Sequence, residues 1–214
     1  MARTLSDILI DVNSTLDLEA SLPTGDELAT RTNYANQVVL DASATGQLSE
    51  FKMEYVVGVS SNATVPLPSN FRELQQDPEE FAGGAWTTYP EISIEEKYDK
   101  GTDDEYCYIL GNPASGYNLI LNSSMSGATL SVIYQRFPSG LLTLVDKCEL
   151  SDPQFVSRKV ESYVLWSRND ERFPIAEQRA EQQLANMMGR EMKSPGGQGR
   201  DTKMKFVNPL ANLS

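Results

Sequence analysis

The sequence contains no histidine. Histidine is the commonest general base and metal ligand, so serine or cysteine nucleophiles activated by imidazole, and imidazole zinc sites, are excluded. Enzymes that work with carboxylates, lysine or tyrosine alone survive that filter. Cysteine is nearly as scarce. Cys107 and Cys148 stand far apart, outside any CxxC spacing, and two are too few to staple a secreted scaffold; both read as buried thiols. No window approaches the roughly 20 consecutive apolar residues of a membrane helix. The opening MARTLSDILIDVNSTLDLEA alternates apolar and acidic residues where a signal peptide carries an uninterrupted apolar run. The expectation is a protein that is intracellular or assembled inside the cell.

Basic charge is also in short supply, and unevenly so. There are 18 Lys and Arg against 30 Asp and Glu, a formal net charge of -12. Residues 1–150 hold 8 basic against 22 acidic side chains, whereas residues 151–214 hold 10 against 8. A body this acidic repels phosphate, so specific nucleic-acid binding is not expected of it. Only the end of the chain is mildly positive.

The pattern then separates into helical and strand-like regions. Leu5, Ile8, Leu9, Val12 and Leu16 recur at helical spacing and predict an amphipathic helix from about Thr4 to Asp17. Thr24 and Glu27 stand at capping-box spacing before a second helix, and Gly46 suits a left-handed cap after it. That helix puts Leu28, Arg31, Ala35, Val38 and Ala42 along one face, with Tyr34 and Val39 adjoining. From about residue 49 to 137 the period becomes that of five or six antiparallel strands, read in FKMEYVVGV, AWTTYPEISIEEKY, EYCYILG, GYNLILN and ATLSVIYQRF. VPLPSNFRELQQDPEEF, with its prolines, is expected to be a loop with a turn of helix.

Helical period returns at SDPQFVSRKVESYVLWSRND. Ser151 or Asp152 suits the cap, Pro153 the first turn, and Val156, Val160, Tyr163, Val164 and Ser167 the buried stripe, with Phe155 and Trp166 at its margins. A last helix from about Pro174 shares Ala176, Ala180, Leu184 and Met187 on one face. The expected fold is α+β: a discontinuous helical bundle from residues 1–48 and 151–193, an inserted antiparallel β module over 49–150, and an extended C-terminal arm over 194–214. Neither helix pair buries its stripe alone, so the two are expected to pack together.

Candidate chemistry is thin. Glu79, Glu80, Glu95, Glu96, Asp103, Asp104 and Glu105 fall in expected loops or strand ends, without the apolar pocket that raises one carboxyl of a catalytic pair, and they miss calcium-loop spacing. GNPASG and SPGGQG lack the Lys-Ser/Thr pair of a phosphate loop and read as turn and hinge. No catalytic residue, metal or cofactor is expected. Trp86, Tyr89, Tyr98, Tyr106, Tyr108 and Tyr117 are candidates for a sugar-stacking face. Arg158, Arg168, Arg172 and Arg179 are candidates for contact with acidic loops of a neighbouring copy, the alternative being a solvated face with ion pairs inside the helices.

Three stretches together resemble the head-to-tail adaptor, or neck, proteins of tailed bacteriophages, the podovirus type most. They are Leu67, Pro68 and Phe71 after a strand; Tyr134 and Pro138 at a strand end; and Asp152, Pro153 and Tyr163 opening a helix. The resemblance spans most of residues 4–193, and the larger β insertion departs from the all-helical siphovirus adaptors. It implies a non-enzymatic virion protein, assembled in the host cytoplasm and located in the neck between capsid and tail. It further implies a homo-oligomeric ring, of 12 subunits in that family, beneath the portal protein. The ring would extend the DNA channel and offer a platform to a downstream tail or nozzle protein, with DNA passing through without specific binding and no membrane involved. The C-terminal segment would dock on the portal, which singles out Lys203, Met204, Lys205, Phe206, Val207, Pro209 and Leu210. The reading from another class is a carbohydrate-binding or tail-fibre accessory module using the aromatic strands.

Overall fold

The computed structural model describes residues 3–17, 19–58, 63–101, 104–122 and 129–191. The C-terminal arm expected over 194–214 lies outside the described residues. Among those described, the chain is mixed α+β, with four α-helices and two antiparallel sheets.

Helix α1 (Leu5–Leu16) is opened by a reciprocal cap: Thr4 Oγ1 accepts from the Asp7 amide at 3.2 Å, and Asp7 Oδ2 accepts from the Thr4 amide at 2.9 Å. Such a box is worth about 1 kcal/mol. Helix α2 (Gly25–Ala44) corrects one expectation, because Thr24 makes no side-chain cap bond. Its first turn instead relies on Asp26 and Glu27, whose charges oppose the positive end of the helix dipole. Gly46 follows with φ 68°, the left-handed conformation anticipated there.

Strands β1 (Lys52–Gly58), β2 (Thr64–Pro66), β3 (Phe71–Leu74), β4 (Glu79–Ala82), β5 (Ala85–Thr88), β6 (Cys107–Asn112), β7 (Gly116–Leu121) and β8 (Thr129–Arg136) complete the middle of the chain. One sheet runs β1-β8-β4-β5, with β3 also on β8; the other runs β2-β7-β6. The stretch expected as a loop with a helical turn therefore holds β2, β3 and the start of β4. Its prolines flank strands instead of interrupting them. Pro66 ends β2, Pro68 accepts from the Phe71 amide in a turn at 2.9 Å, and Pro78 immediately precedes β4. Conversely, the chain after β5 leaves the sheet at Pro90, keeps a single bridge between Glu91 and Cys107, and makes a short 3-10 turn at Glu96–Tyr98.

Helix α3 (Pro153–Ser167) starts as expected, with Asp152 Oδ1 accepting from the Gln154 amide at 3.2 Å and Pro153 in the first turn. Its buried face is Phe155, Val156, Ser157, Val160, Ser162, Val164 and Leu165; Tyr163 is half-buried, and Ser167, expected inside, is exposed. Ser167 sits on the final turn, where its hydroxyl bonds back to the Val164 carbonyl at 2.8 Å. Helix α4 (Phe173–Glu191) buries Ala176, Ala180 and Met187.

Two hydrophobic clusters result. The first takes buried side chains from all four helices, among them Ile8, Val38, Val160 and Met187, together with Leu48, Phe51, Leu141, Cys148 and Leu150. The second fills the space between the sheets: Leu130, Val132 and Tyr134 of β8 meet Leu119 and Leu121 of β7, Val65 of β2 and Cys107 of β6. Polar clamps join the two halves. Arg136 bonds Glu149 at 3.1 Å and the Glu50 carbonyl at 3.2 Å, and Arg72 reaches Ser43 Oγ at 3.0 Å.

Candidate docking and subunit-contact surfaces

At the end where α1 and α3 finish and α2 begins, four charged side chains interlock. Arg31 is 0% exposed; its Nη1 donates to Asn13 Oδ1 at 2.7 Å, and its Nη2 donates to Asp17 Oδ2 at 2.9 Å and Glu27 Oε1 at 2.5 Å. Arg168 completes the set from α3, with Nη1 2.9 Å from Asp17 Oδ1 and Nη2 2.7 Å from Glu27 Oε1. Burying a guanidinium is tolerable because both carboxylates sit at the rim, where water still solvates them. Hydrogen bonds from Arg168 and then Arg31 hold the Asp17 carboxyl below its ordinary value.

The four arginines singled out in the sequence therefore differ in what they have left to offer. Arg168 is committed to Asp17 and Glu27. Arg172 pairs locally with Asp170, whose carboxyl it holds down at about 2. Arg158 donates to Gln183 Oε1 at 2.8 Å, a neutral partner that leaves its charge uncompensated by that bond. Arg179 lines an open groove between α1, α3 and α4 with Asp11, Thr15, Ser157, Arg158 and Glu161. Burial pushes the Glu161 carboxyl up, against the opposing pull of Arg179, Arg172 and Arg158. Lys159 of α3 pairs with Glu177 of α4, which also accepts from Ser162 Oγ at 2.6 Å.

The docking-arm residues Lys203, Met204, Lys205, Phe206, Val207, Pro209 and Leu210 lie outside the described residues, as does Asp103. Glu79 and Glu80, expected in a loop, are on β4, and Glu80 is buried with the Tyr89 hydroxyl donating to its Oε2 at 2.8 Å. Tyr89 and Tyr106 are themselves buried, which removes them from any sugar-stacking face, while Trp86 and Tyr98 are exposed. Trp86 packs against Phe81 across the β4–β5 hairpin, ring centroids 5.0 Å apart and planes tilted by 49°. Among the described residues there is no group of three or more Cys, Asp and Glu placed to hold a metal, and no helix long and apolar enough to cross a membrane.

One surface escaped the sequence reading. Between β8 and α3 the chain is held over the start of α1: Asn36 makes paired bonds to the Leu141 backbone, the Leu5 amide donates to the Asp146 carbonyl at 2.8 Å, and Asp146 Oδ2 accepts from the Leu142 and Thr143 amides. This fixed loop displays Leu142 at 83% and Val145 at 77% exposure. Its signal was the aliphatic run LLTLV bounded by Gly140 and Asp146, too dense in apolar residues for an ordinary solvated loop.

No protein-family model matches the chain, and no curated protein matches it.

Proposed function

We propose that this chain is a head-to-tail adaptor of a tailed bacteriophage, a non-enzymatic virion protein that forms a ring beneath the portal. In this reading residues 1–48 and 151–193 form a discontinuous helical bundle, residues 49–150 an inserted β module, and residues 194–214 an arm that docks on the portal. The observation that supports it most is the meeting of separate motif stretches. Phe71 of the Leu67-Pro68-Phe71 stretch packs against Tyr134, ring centroids 5.7 Å apart, and Asp152 caps the helix that carries Tyr163.

The mechanism is assembly. Arg158 and Arg179, with Leu142 and Val145, supply the flanks on which a neighbouring copy packs, and a head-to-tail contact closes into a ring for a suitable rotation. An acidic lumen repels DNA phosphates and lets the genome slide past. Ordering the arm costs about 1 to 2 kcal/mol per residue, so it binds only where Phe206, Val207 and Leu210 gain apolar contacts. Size measurement in solution with and without a portal ring tests the reading: an adaptor co-migrates with the portal, whereas a sugar-binding module ignores it.

A further inference from the structure

The β4–β5 hairpin carries an unfilled edge and an uncovered aromatic pair. β5 is the terminal strand of its sheet, so among the described residues one side of its backbone has no strand partner. The register places Trp86 opposite Phe81, and Phe81 opposite Thr129 of β8, on one face of the sheet. On that face Trp86 is 62% exposed and Phe81 48%. An open edge flanked by exposed aromatics invites another strand, and natural sheets either blunt such edges or use them.

The surroundings choose the sign of the occupant. Asp77 Oδ1 accepts from the Glu91 amide at 3.2 Å just beyond the end of β5, and Glu73 lies close enough to act on the same carboxyl. Burial, then Asp77, then Glu73 push the Glu91 carboxyl up, so three acidic side chains gather at this corner. Residues 49–150 as a whole hold 15 acidic against 6 basic side chains. The occupant should be extended, basic and apolar in alternation.

The chain itself contains such a segment. Lys203-Met204-Lys205-Phe206-Val207 alternates at strand period, putting Met204 and Phe206 on one side and Lys203 and Lys205 on the other. Residues 194–214 carry Arg200, Lys203 and Lys205 against Asp201, a net of two positive charges. The reach is sufficient. α4 ends beside the start of α3, where Arg190 Nη1 is 3.9 Å from Asp152 Oδ2, and the Ser151 amide bonds Glu50 next to β1. From that end of the sheet to Thr129 is the length of β8, about 24 Å, while the twelve residues from Glu191 to Lys203 span up to about 40 Å.

We propose that Lys203–Val207 adds to the free edge of β5 in the same chain, laying Met204 and Phe206 against Trp86 and Phe81. A chain without other partners keeps its arm there, and any partner that takes the arm must first displace it. This inference does not rest on the portal reading.

The test uses the full chain with Trp166→Phe, so that Trp86 is the single tryptophan, beside the same chain ending at Lys193 and one carrying Lys203→Glu and Lys205→Glu. Acrylamide quenching of Trp86 and amide exchange at Ala85–Thr88 are measured in each. The expected result is stronger quenching and at least about tenfold faster exchange in both altered chains. A synthetic peptide spanning Arg200–Leu210 should reverse both changes in the shortened chain, and the Glu-substituted peptide should not. Equal quenching and exchange in all three chains would overturn the proposal. Protection in the full chain that disappears on dilution would also overturn it, by showing that the arm comes from a second copy. Portal binding is measured separately, so either idea can fail alone.

Discussion

Arg168 and Arg31 grip the same carboxylate from opposite sides: Nη1 of Arg168 lies 2.9 Å from Asp17 Oδ1, and Nη2 of Arg31 lies 2.9 Å from Asp17 Oδ2. One short acidic side chain thus ties the end of α1 to both α2 and α3.

The two arginines should contribute unequally. Arg31→Ala empties a fully buried site and orphans Asn13 Oδ1, and is expected to cost about 3 to 5 kcal/mol. Arg168 is 40% exposed, so Arg168→Ala should cost less than about 1 kcal/mol. Urea midpoints of the two variants check this, and a larger loss at Arg168 would contradict it.

Acid should act on Asp17 and Glu161 in opposite directions. The folded Asp17 carboxyl is held below its unfolded value near 3.9, so its contribution is complete above that value and fades as pH falls through the folded one. Asp17→Asn should therefore destabilise at pH 6 and lose that effect progressively as pH falls below about 3.9. Glu161 is raised by burial, so its ionisation opposes folding above the folded value. Glu161→Gln should stabilise at pH 7, with the gain disappearing below about pH 4. Urea titrations at these pH values measure both signs.

Gly111 and Gly116 lie on opposite arms of the β6–β7 hairpin, Gly111 across from Tyr117 and Gly116 across from Asn112, both with positive φ. A Cβ on Gly111 would come within 2.1 Å of the Gly116 carbonyl oxygen, whereas one on Gly116 meets nothing within 4 Å. Gly111→Ala should cost more than about 3 kcal/mol, because clash adds to strain, and Gly116→Ala only the strain, about 1 to 2 kcal/mol. Thermal melts of the pair decide it.

Both thiols should be inert in the folded protein. Burial, with help from Glu91 and Asp77, pushes Cys107 up to about 12, and burial also raises Cys148. A disulfide reagent at pH 8 should modify neither until denaturant is added, when both react.

Much of the fold could be read from spacing. The stripes of α1 and α2 emerged because a one-sided helix repeats its apolar positions, and even buried Arg31 fell on its stripe. β2, β3 and β4 were hidden because they have only three or four residues each, too few to show a period, and prolines lie at their margins. The surfaces were less legible. That Arg168 is spent on Asp17 while Arg158 has a neutral partner depends on contacts 151 and 25 residues away, which no local pattern encodes. Likewise Phe81 read as a loop residue until its pairing with Trp86 placed it on a sheet face.

The central claim is tested most directly by electron microscopy of the full chain mixed with the portal ring of its phage. The account predicts a second ring, coaxial with the portal and seated beneath it, that is lost when the chain ends at Lys193. A portal that stays bare with the full chain would contradict the adaptor assignment, and an equally complete second ring from the shortened chain would contradict the docking role of the arm.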